Sequence, residues 1–307
     1  MQNLLQSILY GVAVGDALGV PVEFNSRASL KANPVTNMRS FGTHNQPEGT
    51  WSDDTSMTLC LAESIVEGFS MQALANKFVA WKYENYWTPH GQVFDIGNAT
   101  SAAVSRLKNG EQPEYAGGFE EKDNGNGSLM RILPLLLLSK ELPIEERFNL
   151  IKKVSSITHA HIRSVMACFY YVEFAQQLME SKTPEEAYAI VKESVATFFQ
   201  NKEINPNEIA LFDRLLKGNI ATLEEIEMMS SGYVIHTLEA SIWCLLTSKT
   251  YKEATLKAVN LGEDTDTTGA VTGGLAALAF GFNSIPKEWL KTISRSKDID
   301  QLILKME

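Results

Sequence analysis

Hydrophobic residues recur at helical spacing along most of the chain. One apolar stripe begins at Leu4 and Ile8, a long one covers residues 160–178, and others cover residues 233–246 and 254–259. A repeat of three to four residues places side chains on one face of an α-helix. Strand-like alternation bounded by hairpin turns is nearly absent. The pattern therefore predicts an all-α fold, an orthogonal helical bundle whose loops carry the chemistry.

Glycine residues recur every four positions near both ends of the chain. Gly11, Gly15 and Gly19 form one series, and Gly269 and Gly273 form another. Residues four apart lie on the same face of a helix, so each series predicts a smooth ridge that a neighbouring backbone can approach closely. Neither spacing matches a phosphate-binding glycine-rich loop.

The chain contains no evident linker, and we expect residues 1–307 to form a single domain, although the length would allow two. Residues 31–50 contain prolines and glycines and predict a long surface loop. Loops of that length in compact domains are often functional lids. We expect residues 31–50 and 83–98 to contribute to substrate choice, which a single sequence does not specify.

Composition and charge exclude some classes of protein. The chain is 44% hydrophobic and 21% charged, as is ordinary for a globular domain. Its net charge of −10 argues against a broad nucleic-acid-binding surface. Cys60, Cys168 and Cys244 are widely spaced among apolar residues, which favours buried free thiols over disulfides or a metal site.

The terminal apolar stretches do not predict export or membrane insertion. The first residues lack a basic leader, and Gly11, Gly15 and Asp16 interrupt the apolar run that follows. Residues 270–282 are too few to span a bilayer. We therefore expect a cytoplasmic protein with no membrane association.

Two acidic clusters more than two hundred residues apart each open into an apolar helical run. They are Ser52-Asp53-Asp54-Thr55 and Asp264-Thr265-Asp266-Thr267. Either could simply cap a helix, since a serine hydroxyl and carboxylates favour helix N-termini. The second cluster concentrates more acids than a cap requires, and like charges repel. If the fold joins the clusters, their oxygens would suit Mg²⁺, Mn²⁺ or Ca²⁺.

Five motifs occur in an order that resembles the ADP-ribosylglycohydrolase family. They are Gly15-Asp16-Ala17-Leu18-Gly19 followed by Glu23, Trp51-Ser52-Asp53-Asp54-Thr55, Gly125-Asn126-Gly127-Ser128-Leu129-Met130-Arg131, Thr158-His159 and Asp264-Thr265-Asp266-Thr267. The resemblance extends from about residue 8 to about residue 281. It implies the same all-α fold.

The resemblance also implies a centre of two metal ions, Mg²⁺ or Mn²⁺. Its implied ligands are Ser52, Asp53, Asp54, Asp264, Asp266 and Thr267, with Asp266 as the bridge. The four carboxylates would balance two divalent ions, which would orient a ribose and polarise water. Asp53 and Asp54 would also serve catalysis. Glu23 would be the acid on a mobile segment beside the scissile bond, and its alternative is a solvent-facing glutamate.

Other matched residues are implied to contact the substrate. Residues 124–128 precede an expected helix over residues 129–133, whose N-terminus could bind a diphosphate. The implied contacts are Asn126, Gly127, Ser128 and His159, and Phe119 could stack on adenine. An ordinary turn and a structural histidine are the alternatives.

The function implied by the resemblance is a metal-dependent hydrolase. Its substrate would be ADP-ribosylated protein or a small ADP-ribose conjugate, and we expect it to act as a monomer. One alternative is a non-catalytic ADP-ribose-binding relative, which the intact carboxylates disfavour. Another is a haloacid-dehalogenase-like phosphatase, which residues 264–267 mimic but whose parallel strands the chain lacks.

Overall fold

The computed structural model describes residues 1–306 and is built from sixteen α-helices. They are α1 (Gln2–Gly19), α2 (Arg27–Ala32), α3 (Asp53–Val66), α4 (Met71–Glu84), α5 (Asn98–Lys108), α6 (Leu136–Ser139), α7 (Ile144–Ser156), α8 (Ile162–Met179), α9 (Pro184–Asn201), α10 (Pro206–Ala210), α11 (Asp213–Leu216), α12 (Val234–Leu246), α13 (Tyr251–Val259), α14 (Thr265–Phe280), α15 (Lys287–Thr292) and α16 (Ser296–Leu304).

The described residues contain no β-strand, only three isolated bridges. Short 3₁₀ segments connect several helices; they are Val20–Val22, Gly42–His44, Pro113–Tyr115, Glu121–Asp123, Leu133–Leu135, Ile220–Thr222, Glu225–Glu227 and Phe282–Ser284. The predicted all-α fold is confirmed. A phosphatase of the haloacid-dehalogenase type needs parallel strands, so the architecture over residues 1–306 excludes that alternative.

Several α-helices begin at a residue whose side chain caps the first turn. The side chains of Ser52, Ser70 and Thr250 each accept a hydrogen bond from a free backbone N–H in the first turn. Thr183 and Glu186 form a reciprocal capping box at the start of α9. These helices therefore begin at serine and threonine residues that can be recognised as caps in the sequence.

The helix expected over residues 129–133 is wrong. Residues 127–131 form a turn, a 3₁₀ segment begins at Leu133, and α6 starts only at Leu136. Pro134 lies within the 3₁₀ segment, and proline lacks the N–H that a continuing α-helix requires. No α-helix N-terminus therefore directly follows residues 124–128.

Helices α1 and α14 pack with their backbones in close contact, as the glycine ridges predict. A Cβ added at Gly15 would lie 2.0 Å from the carbonyl oxygen of Gly269, and one at Gly11 would lie 2.6 Å from that of Gly273. At Gly19 it would lie 2.3 Å from the Cα of Asp266. Real Cβ atoms do not approach this closely, so only glycine permits this contact.

The interior is a contiguous cluster of buried hydrophobic side chains drawn from nearly all the longer helices. The three cysteines are buried and free, as predicted. The segment Gln2–Val22 is long and apolar enough to cross a membrane, but 94% of its apolar window is buried inside the protein. That burial is what a core helix shows.

Replacing Gly15 by alanine should destabilise the protein by at least about 2 kcal/mol, because α1 and α14 must separate to accommodate the methyl group. Gly97→Ala is a matched control, since its added Cβ meets nothing within 4 Å. Urea unfolding of both variants, followed by circular dichroism, measures the difference. Equal stability of the two variants would contradict the close contact.

Candidate active site

Asp16 joins α1 to the start of α3. Its carboxylate accepts hydrogen bonds from the backbone N–H groups of Ser52 at 2.9 Å and Thr55 at 3.0 Å, and from the Thr55 hydroxyl at 2.6 Å. It therefore orients the turn that carries Asp53 and Asp54. The sequence reasoning gave Asp16 no role, and its place beside Gly15 in the first motif was the available signal.

The two acidic clusters meet, although more than two hundred residues separate them. The hydroxyls of Ser52 and Thr267 both donate to Asp54 Oδ2, at 3.1 and 3.4 Å. Ser52 also accepts from the Asp54 N–H at 3.3 Å, so it caps α3 while lying at this junction. The capping interpretation of Ser52 is confirmed, and its role as a metal ligand stays a prediction.

Asp264 and Asp266 occupy the start of α14 beside Asp54. Asn126 Nδ2 donates to Asp264 Oδ2 at 2.8 Å, and the Thr267 N–H donates to Asp266 Oδ1 at 2.9 Å. Within residues 1–306, the other oxygens of Asp54, Asp264 and Asp266 are buried and accept no hydrogen bond. Buried carboxylate oxygens without donors are costly unless a cation approaches them.

Burial and mutual repulsion raise the pKa of every carboxyl group in this cluster. Burial is the largest cause at Asp53, Asp54, Asp264 and Asp266, and neighbouring carboxylates add to it. Burial also raises the pKa of Asp16 to about 7, although its hydrogen bonds oppose the shift. The charged cluster needs positive charge to be stable at neutral pH.

Glu23 lies at the edge of this cluster, directly after the 3₁₀ segment Val20–Val22. It is buried, so the solvent-facing alternative is wrong. Burial raises its pKa to about 8 despite a short hydrogen bond to the His44 ring. Ligand atoms of Glu23, His44, Asp95 and Asp266 all lie within 4.8 Å of one another, so these residues could hold a metal ion.

Sequence reasoning missed His44 and Asp95 as members of the site. His44 lies in the predicted loop 31–50, in the 3₁₀ segment Gly42–His44. Asp95 lies in the loop before α5 with a positive φ of 54°. Neither belongs to a motif with a recognisable spacing, and only the path of the two loops brings them to Glu23.

A cleft of about 340 Å³ opens beside the carboxylates. Its lining includes these predicted site residues: Glu23, Asp53, Asn126, Gly127, His159, Asp264 and Thr267. Ser52, Asp54 and Asp266 lie behind them and are buried. The cleft thus has an acidic side near Glu23 and a side of uncharged polar residues near Asn126, here called the uncharged side.

Two predicted substrate contacts do not reach this cleft. Ser128 is 0% exposed and accepts from the Ser155 hydroxyl at 2.9 Å, inside the protein. Phe119 is 74% exposed and lines a neighbouring cavity of about 390 Å³ together with Tyr115. The structure therefore gives Ser128 a packing role and places Phe119 outside the cleft.

Gly127 and His159 lie in contact on the uncharged side of the cleft. A Cβ at Gly127 would lie 2.8 Å from His159 Cε1 and 2.8 Å from Thr100 Oγ1, so glycine is needed where the histidine ring packs. Burial, together with the positive charge of Arg131, lowers the pKa of His159 to about 3. The ring is neutral at physiological pH.

The chain belongs to the ADP-ribosylglycohydrolase family, and its fold is that of a solved structure described as related to this family. The family model described as ADP-ribosylglycohydrolase matches residues 2–307. A solved structure described as an ADP-ribosylglycohydrolase-related protein complex superposes with a TM-score of 0.78 at 29% identity, covering 99% of this chain and 97% of the other.

Two named relatives extend this comparison. ADP-ribosylarginine hydrolase Tri1 of Serratia proteamaculans (strain 568) is 32% identical over 300 residues, covering 96% of this chain and 76% of the relative. ADP-ribosyl-[dinitrogen reductase] glycohydrolase of Rhodospirillum rubrum is 25% identical over 294 residues, covering 92% and 87%. Both relatives are named for removal of ADP-ribose from another group.

The stability of the metal-free protein and the stability that divalent ions add should vary with pH in opposite directions. In metal-free protein the raised pKa values mean that the folded state binds more protons than the unfolded state, so stability falls as pH rises from about 5 to about 8. With Mg²⁺ the added stability should grow with pH, because the ion binds ionised carboxylates.

Thermal melts in EDTA and in Mg²⁺ or Mn²⁺, recorded across this pH range, measure both trends. At about a hundred times the dissociation constant, the ion should add about 2.7 kcal/mol. A melt in Ca²⁺ serves as a further reference. Identical melts with chelator and with ions would contradict an ordered metal centre.

Proposed function

We propose that this protein is a hydrolase that cleaves the bond between the ribose of ADP-ribose and an acceptor, using two Mg²⁺ or Mn²⁺ ions. The observation that carries the proposal is the set of buried oxygens on Asp54, Asp264 and Asp266 that accept no hydrogen bond within residues 1–306. They converge from two helix N-termini beside an open cleft. Such oxygens suit hard divalent cations.

The donor set fits the proposed ions. Their ligands would be Ser52, Asp53, Asp54, Asp264, Asp266 and Thr267. When bound, the ions supply Lewis-acid polarisation and orient ribose hydroxyls. Asp16 supports this arrangement without lining the cleft, because it holds the turn before α3.

Glu23 is the proposed acid at the scissile bond. Its carboxyl group lines the cleft next to the carboxylate cluster, and burial holds its pKa near the physiological range, at about 8. A carboxyl group with such a pKa can exchange a proton with water or with a leaving group. His44 bonds to it from the loop 31–50, so loop movement would change what Glu23 contacts.

The uncharged side of the cleft is proposed to hold the rest of ADP-ribose. Asn126 is fixed there by its own bond to Thr237 Oγ1 at 2.8 Å, and Gly127 and His159 lie next to it. Lys122 adds a positive charge at the rim, which suits a diphosphate. We assign no residue to the adenine base, because Phe119 lines the neighbouring cavity and not this cleft.

The acceptor is proposed from the relatives. One is named an ADP-ribosylarginine hydrolase, so arginine-linked ADP-ribose on protein is the first substrate to test. Serine-linked ADP-ribose and an acetyl ester test the alternatives. We also propose a cytoplasmic location and a monomeric state, consistent with buried free thiols.

A non-catalytic ADP-ribose-binding relative is the second candidate function. Such a protein would bind ADP-ribose and release nothing from any of the three linkages in the presence of Mg²⁺. Loss of metal-ligating carboxylates would favour it. Here every carboxylate of the predicted set is present, which favours hydrolysis.

Asp266→Ala should lower hydrolysis by at least about three orders of magnitude, because the lost interaction is worth several kcal/mol. It should also abolish the rise in melting temperature caused by Mg²⁺. Asp298→Ala, which removes only a carboxylate paired with Arg295 at the surface, is the matched control. Near-normal turnover by folded Asp266→Ala protein would disprove the two-metal proposal.

Glu23→Gln should slow turnover at least about a hundredfold, because it removes proton transfer while preserving size. Affinity for ADP-ribose should stay close to that of the wild type, as expected for an interaction made mainly in the transition state. Calorimetry and single-turnover assays measure the two quantities. Unchanged turnover would assign water activation to another group, and a collapse of affinity would make Glu23 a binding residue.

A further inference from the structure

Arg131 is a buried cation without a carboxylate partner. It is 0% exposed, and within residues 1–306 its Nε and Nη1 groups donate no hydrogen bond. Its guanidinium carbon lies 4.7 Å from the centre of the Phe78 ring. Burial lowers its pKa to about 10, so it remains charged at neutral pH. An arrangement this costly calls for a reason.

Arg131 makes two hydrogen bonds, one of them to the residue that precedes His159. Its Nη2 donates to the carbonyl oxygen of Val154 at 3.3 Å, in the last turn of α7, and to Thr158 Oγ1 at 2.8 Å. The negative end of the α7 dipole partly offsets the buried charge. Arg131 itself does not line the cleft.

Thr158 connects Arg131 to His159 through its hydroxyl group. The Thr158 hydroxyl is fully buried, and it lies within hydrogen-bond distance of Arg131 Nη2 and of His159 Nδ1, the latter at 2.8 Å. An arginine N–H can only donate, so the hydroxyl accepts from Arg131. Its single hydrogen then needs an acceptor, and Nδ1 of His159 is the atom in place. A hydrogen on Nδ1 would leave the buried hydroxyl hydrogen unpaired.

This fixes which ring nitrogen of His159 carries the hydrogen. With Nδ1 accepting, the neutral ring carries its hydrogen on Nε2. His159 lines the cleft, and Nε2 makes no hydrogen bond in the part of the chain that the structure describes. Gly125 and Gly127 leave space around that atom, since a Cβ on either would lie 3.5 or 3.4 Å from it.

We propose that Arg131 and Thr158 are positioning residues that hold His159 as a neutral Nε2–H donor toward an oxygen of the bound ADP-ribose. The identity of the ligand rests on the proposed function, whereas the hydrogen location does not. The lowered pKa of His159 supports a neutral ring. His159 then binds substrate through a donor and does not serve as a base at Nε2.

Nuclear magnetic resonance of protein labelled with ¹⁵N-histidine tests the hydrogen location directly. The chain has five histidines, and a His159→Gln spectrum identifies the signal of His159. In the wild type, the ring nitrogen that bears hydrogen should be Nε2. Thr158→Val removes the hydroxyl at nearly equal volume and should yield a mixture of the two neutral forms. Thr158→Ser should restore the single form.

Calorimetry with ADP-ribose gives the functional readout. Thr158→Val should weaken binding roughly tenfold, the scale of one hydrogen bond, and Thr158→Ser should recover it. Hydrogen on Nδ1 in the wild type would overturn the proposal without reference to any valine variant. The proposal would also be overturned if the Thr158→Val variant kept hydrogen on Nε2 alone and bound ADP-ribose as tightly as the wild type. Correct hydrogen placement without ADP-ribose binding would instead count against the proposed function.

Discussion

The close backbone contact between α1 and α14 is the constraint on which the site depends. Three glycines on successive turns of α1, Gly11, Gly15 and Gly19, allow the backbone of α14 to occupy the space that side chains would fill. The contact ends at Gly19, whose carbonyl oxygen accepts from the Thr265 hydroxyl at 2.8 Å. Because Asp266 is the next residue of α14, the depth of this packing sets where its carboxylate lies. A wider helix separation would move Asp266 away from Asp54.

The same packing creates an electrostatic problem that the fold does not solve alone. Helix N-termini and hydroxyl donors satisfy some of the carboxylate oxygens, as at Asp16 and Asp54. Others have no donor, and burial raises the pKa of their groups. Replacing these acids by apolar residues would remove the repulsion and also the oxygens of the candidate metal site.

The opposite side of the cleft is built by a different principle. Uncharged polar side chains are held there by buried hydrogen bonds, as at Asn126, which donates to Thr237 and Asp264, and at His159, which bonds Thr158. Behind them, the buried guanidinium of Arg131 donates to the Thr158 hydroxyl. The cleft thereby has an acidic half, whose carboxyl groups have raised pKa values, and a half lined by uncharged polar groups.

The sequence by itself determined the elements whose causes are local. Apolar stripes gave the helices, glycine spacing gave the ridge, and ordered motifs gave the acids that lie together at α3 and α14. Tertiary structure decided what depends on long-range packing. His44 and Asp95 reach Glu23 through loop paths that no periodicity records, and Glu23 is buried because of those neighbours. Ser128 turns inward, Phe119 faces another cavity, and residues 129–133 do not form a helix. Short local patterns do not specify these outcomes, because each is set by what packs against the segment from distant parts of the chain.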